Sequence, residues 1–157
     1  MSYEERAENI SRLGLNCAQA VAGAFYDLYK GISQEEVLNM TSPLGGGFGR
    51  KRELCGAVNG MGIAFGLIMG THTLEEKVDT YQTAAMLADR FIDRYESIVC
   101  REIIDNKPDL ALTPRDNPIV VEEMTGGPWP KWPCSDYIRG AVQILKEYLS
   151  EVGVITE

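Results

Sequence analysis

The stretch Thr73 to Ile104, TLEEKVDTYQTAAMLADRFIDRYESIVCREII, decides the fold class. Within it Leu74, Val78, Tyr81, Ala85, Ala88, Ile92, Tyr95 and Val99 recur by fours and threes. That spacing lays an apolar seam along one side of an α-helix packed in a bundle. It predicts one unbroken helix, capped by Thr73 and running to around Ile104, roughly 45 Å at ~1.5 Å per residue. No segment carries a convincing strand alternation. The fold expected is all-α: a helical bundle of about five helices with one long Pro- and Gly-containing connection, a single domain over 1–157.

Upstream, Leu54 to Leu74 carries no charge and is long enough to cross a bilayer. Its five glycines, Asn59 and His72, and the lack of a second such stretch, favour instead a buried central helix from about Leu54 to Met69, stopped by Gly70. Gly62, Gly66 and Gly70, spaced by four, are expected to let another helix pack closely. Tyr3 to Leu13, Asn16 to about Lys30, and Ser33 to Met40 read as three more helices. Asn16 is a good N-cap, Ser33 with Glu36 makes a capping box, and Gly14 and Gly31 are stops. Downstream, Asp105 to Pro133 is a long connection. In it Ile119 to Val121 suits a brief extended piece, and Trp129 and Trp132 suit a cover over one end of the bundle. The last helix starts at Cys134 and carries Ile138, Ala141, Leu145, Tyr148 and Val152 on one seam.

The formal net charge is -8, and Lys and Arg are dispersed apart from Arg50-Lys51-Arg52. Phosphate binding needs a concentrated basic face, so nucleic acid and anionic membrane surfaces are excluded as main partners. The basic trio suits docking of an acidic protein redox partner, and a homodimer stays open. The opening Met-Ser-Tyr-Glu-Glu-Arg lacks a secretory pattern, so the expected location is cytoplasmic. Thiols there are normally reduced, and those that matter tend to bind metal or do chemistry. The single histidine, His72, falls in the turn after the central helix. That argues against a metal role for it and against His-based nucleophilic catalysis.

The cysteines are Cys17, Cys55, Cys100 and Cys134, with no two close enough for a C-x-x-C chelate. Cys17, Cys55 and Cys134 open helices, and Cys100 falls near the C-terminal end of the expected long helix. A short turn at Gly70 to Thr73 sends that helix back antiparallel, returning Cys100 towards Cys55. All four sulfurs then meet at one end of the bundle. Helix N-termini carry partial positive charge and free N–H groups, which favour thiolates. Three chemistries suit such a site: a cysteine-ligated iron–sulfur cluster, thiol–disulfide exchange, or a structural zinc module. The loop Gly45-Gly46-Gly47-Phe48-Gly49 lacks the Lys-Ser/Thr of a P-loop. Gly45, Gly46, Gly47 and Gly49 are instead candidates to bring backbone N–H groups up to the sulfurs of a bound cofactor.

Asn16-Cys17-Ala18-Gln19-Ala20, the glycine loop with Arg50, Cys55-Gly56-Ala57-Val58-Asn59-Gly60, Cys100-Arg101-Glu102 and the Cys134 that opens the last helix occur in that order. In this the chain resembles the C-GCAxxG-C-C family, a group associated with redox function and related to the cluster-binding domain of split-Soret cytochromes. The order Cys-Gly-Ala at Cys55 departs from the Gly-Cys-Ala of the family's name. The resemblance implies that Cys17, Cys55, Cys100 and Cys134 hold one [2Fe–2S] or [4Fe–4S] cluster, or form a redox site. With no C-x-x-C-H motif, haem attachment does not carry over.

Overall fold

The structure, a computed structural model, describes residues 1–105 and 134–156. The expectations for Ile119 to Val121, Trp129 and Trp132 lie outside the described residues. The helices are α1 (Tyr3–Arg12), α2 (Cys17–Ala24), α3 (Gln34–Thr41), α4 (Gly56–Met69), α5 (Lys77–Tyr95), α6 (Cys100–Asp105) and α7 (Ser135–Glu151), with 3₁₀ turns at Tyr26–Leu28 and Ser42–Leu44. Helix makes up 69% of the described residues. The fold is all-α, with seven helices described rather than about five.

Three helices begin with a side-chain cap. Ser2 with Glu5, Asn16 with Gln19, and Ser33 with Glu36 each form a capping box, in which the cap side chain accepts from the third backbone N–H and that residue's side chain accepts from the cap's own N–H. Gly14 and Gly31, both at positive φ, follow the ends of α1 and of the 3₁₀ turn that closes the second helical segment.

The centre of the molecule is α2, not α4. All eight residues of α2 are buried. It packs chiefly on α4, then on α1, α3 and α7. The uncharged α4 turns only one side inward, through Ala57, Gly60, Met61, Ala64 and Phe65. Gly60 and Ala18 make the close approach between α4 and α2. Gly62 and Gly66 have open space where a side chain would stand, so the close packing expected of them falls to Gly56 and Gly60 instead. Among the described residues no helix is long and apolar enough to cross a membrane.

The stretch that decides the fold class differs in two ways from its expected form. First, it is two helices. α5 starts at Lys77 without a side-chain cap and ends at Glu96, which takes the left-handed conformation at φ 69. The chain then turns, and α6 begins at Cys100. Second, the side of α5 that packs is Leu87 and Phe91, both buried. Most of the expected seam faces outward, with Leu74 82% exposed, Val78 61% and Tyr81 65%, and of its members Tyr95 packs inward. α5 rests on α7, where Phe91, Tyr95 and Tyr137 form a ring cluster. Arg90 pairs with Glu151, and Arg94 reaches Gln143 and Glu147.

Candidate metal or redox centre at four helix starts

The break after α5 is what builds the site. Leaving Glu96, the chain lies beside residues 52–55 as a short antiparallel pairing. Cys55 N–H donates to Ile98 O at 2.7 Å, Cys100 N–H to Glu53 O at 2.6 Å, and Arg101 N–H to Arg52 O at 3.1 Å. The isolated bridge Leu54–Val99 sits at its middle. Ser97 helps turn the chain: its hydroxyl accepts from Val99 N–H and bonds the Glu102 carboxylate. The pairing fixes the starts of α4 and α6 side by side, and with them Cys55 and Cys100.

Every cysteine therefore stands at a helix N-terminus. Cys17 is the first residue of α2, Cys55 precedes α4, Cys100 is the first residue of α6, and Cys134 precedes α7. The expected position of Cys100 near a helix C-terminus is corrected, and its corrected position strengthens the electrostatic case. Four positive dipole ends now lie beside the cysteines, although at α6 the Cys100 and Arg101 N–H groups are already taken by Glu53 O and Arg52 O.

The four cysteines line one cavity together with Gly56, Ile103, Ile104 and Tyr137. Cys17, Cys55 and Cys100 are buried, Cys134 partly so, and all four are free thiols. Each sulfur is within electrostatic reach of the other three. Burial, followed by the neighbouring thiol of Cys17, pushes Cys55 up to about 12, against N–H groups of Val58 and Ala57 that pull it down. Burial likewise pushes Cys17 up, opposed by hydrogen bonds from the N–H of Gly46 and of Ala18. Cys134 is held well above its ordinary value by burial and then by the other three sulfurs. Without a cation Cys17, Cys55 and Cys134 are neutral thiols, kept so first by burial and then by the neighbouring sulfurs.

The glycine loop has a divided role. Gly46 reaches the site through its N–H on Cys17. Gly45 abuts Asn16, Gly47 abuts the backbone of Arg52 and Glu53, and Gly49 faces open space. Gly46, Gly47, Phe48, Gly49, Arg50 and Arg52 all take positive φ. This run curls the backbone under the cysteines, with Arg52 N–H donating to Gly46 O and Glu53 N–H to Gly47 O, each at 3.0 Å. Only glycine holds such angles without strain. Gly56 meets a different demand, since a Cβ there would collide with Cys17 Sγ.

Sequence reasoning missed two site residues. Arg52, grouped with the basic trio as part of a docking face, turns inward instead: its Nη1 donates to Cys100 Sγ at 3.8 Å. Tyr137 closes the cavity, and its hydroxyl donates to Ile103 O at 3.5 Å. Its position three residues after Cys134, one helical turn on, was the available signal. His72 lies where expected, in the turn beyond the far end of α4.

An all-sulfur lining suits a soft metal or a cluster, since the described lining offers no carboxylate or imidazole donor. Among the described residues no three His, Cys, Asp or Glu side chains already stand in a metal-binding arrangement. The sulfurs share a cavity without being preset at bonding positions.

Residues 15–148 match the family described as "Putative redox-active protein (C_GCAxxG_C_C)". No curated protein and no solved structure matches the chain.

Proposed function

The chain belongs to the C_GCAxxG_C_C family of redox-active proteins, and from this premise we propose that it is an electron-transfer protein whose Cys17, Cys55, Cys100 and Cys134 hold one iron–sulfur cluster. The observation that carries the reading is the single cavity lined by four cysteines drawn from four helix starts. When bound, a cluster of this kind supplies one-electron oxidation and reduction at a potential set by burial, net charge and hydrogen bonds to sulfur.

The chain's own residues do the rest. The four helix N-termini and the Gly46 N–H stabilise sulfur anions in a place where burial otherwise keeps them protonated. Ile103, Ile104 and Tyr137 keep water from the sulfurs. Phe48, 58% exposed on the loop that touches Cys17, together with Arg50 and Lys51, makes the face on which an acidic protein partner docks.

Thiol–disulfide exchange fits less well. The attacking thiol in that chemistry is exposed and ionised, whereas burial holds Cys17 and Cys55 up. A structural zinc module uses the same four ligands and is separated by analysis. Anaerobic purification followed by iron, acid-labile sulfide and zinc determination tests the proposal. A brown protein with iron and sulfide is the expected result. A colourless protein containing one zinc per chain would assign the site to structural metal instead.

A further inference from the structure

Arg52 sits at a junction of three parts of the site. Its N–H bonds the glycine loop at Gly46 O, its carbonyl accepts from both the N–H and the guanidinium of Arg101 on α6, and its own guanidinium reaches Cys100 Sγ at 3.8 Å. Its φ is 61, a left-handed angle that strains a non-glycine residue. Glycine would hold that angle without strain, as it does at Gly46 and Gly47, so the arginine is there for its side chain. Lys51, one residue earlier, is exposed and makes no such bond to a sulfur among the described residues.

The charge balance gives that side chain a purpose. Four cysteine thiolates around a divalent ion, or around a cluster core of charge two plus, leave two negative charges in an apolar cavity. Helix ends of roughly half a charge each offset much of this. The end at Cys100, however, belongs to a helix of only 6 residues whose first two N–H groups are already bonded to Glu53 O and Arg52 O, which leaves that sulfur the least compensated. We propose that Arg52 is a positioning residue that supplies the built-in counter-charge of the four-sulfur centre: its guanidinium fixes the Cys100 sulfur by a hydrogen bond and places a cation beside the loaded centre. The inference rests on the reading of the site as a shared metal centre. It divides the basic trio: Lys51 is exposed, while the Arg52 guanidinium reaches Cys100.

The test uses the full chain, reduced and metal-free under anaerobic conditions, with cobalt(II) alone as probe and its thiolate-to-metal absorption as readout. Wild type, Arg52→Met, Arg52→Lys and Lys51→Met are compared. Both methionine variants remove one positive charge, and at position 52 the backbone angle demanded is unchanged. Matching circular dichroism and melting curves confirm that each variant folds. Arg52→Met is expected to weaken cobalt binding about tenfold, the scale of one hydrogen bond to a charged group. Arg52→Lys recovers part of the loss, because lysine keeps the charge but not the planar fork. Lys51→Met stays within about twofold of wild type, as an exposed charge should. Equal affinities for wild type and Arg52→Met, or equal losses in the two methionine variants, would overturn the proposal. If wild type binds no cobalt, the shared metal centre is what fails, and the role of Arg52 as its counter-charge falls with it; equal affinities with binding intact overturn the Arg52 proposal alone.

Discussion

Gly56 and Gly62 lie on the same helix and look alike in the sequence, yet their surroundings differ. A Cβ at Gly56 would strike Cys17 Sγ, while Gly62 has nothing within 4 Å. Gly56→Ala is therefore expected to destabilise the protein by about 1–3 kcal/mol and to abolish metal uptake by displacing a ligand. Gly62→Ala is expected to stabilise α4 by up to ~1 kcal/mol through helix propensity. Urea denaturation with a parallel cobalt titration separates the two effects. The raised Cys17, Cys55 and Cys134 thiols carry a second expectation. A metal must displace protons from them, so apparent affinity should climb as pH rises from about 6.5 to 8.5, with proton release visible in weakly buffered solution. A pH-independent affinity would mean that the thiols are not the ligands. At this scale the meeting of the four cysteines was legible, because residue type and order announce them; of the loop glycines, Gly46 alone bonds Cys17. Arg52 was not, because its inward aim depends on a positive φ that no arginine advertises.

The elements taught the reverse lesson. α5 is apolar on two sides: Val78, Tyr81 and Ile92 on one, Leu87 and Phe91 on the other. Periodicity identifies a helix but cannot choose between two apolar faces; packing on α7 makes that choice. Phe91→Ala should cost about 3–5 kcal/mol, as for a fully buried aromatic, while Val78→Ser should stay within about 0.5 kcal/mol. Denaturant midpoints of the two variants check this. The break after Tyr95 was hidden for another reason. Helix stops usually show Gly or Pro, and here Glu96 occupies the left-handed position. Glu96→Gly should relieve that strain and stabilise the protein by roughly 1 kcal/mol, leaving cofactor content unchanged. A loss of stability would mean that α5 and α6 are continuous after all, as the heptad spacing implied. The starts of α2 and α3 were legible, at the Asn16 cap and the Ser33–Glu36 capping box. Sequence reasoning missed the Ser2–Glu5 box of α1, and α2 ends at Ala24 rather than near Lys30, giving way to a 3₁₀ turn.

At the scale of the whole molecule, the convergence of sulfurs 17, 55, 100 and 134 is a property of topology. The chain runs out along α4, turns at His72, returns along α5 and pairs residues 98–101 with residues 52–55. α2 delivers Cys17 to the same end because it packs along α4, and α7 delivers Cys134 because it packs on both. Sequence order could suggest this arrangement from the short turn between α4 and α5. It could not supply the local pairing that places Cys55 beside Cys100, since that depends on the hidden break at Glu96. If four distant cysteines form one centre, they respond to a bound metal as a unit. Alkylation of the anaerobically reconstituted protein with iodoacetamide, with each cysteine peptide quantified by mass spectrometry before and after chelation, checks this. All four are expected to be protected together in the loaded protein and to become reactive together when the metal is removed. One cysteine labelled at the same rate in both states, while the other three are protected, would contradict it.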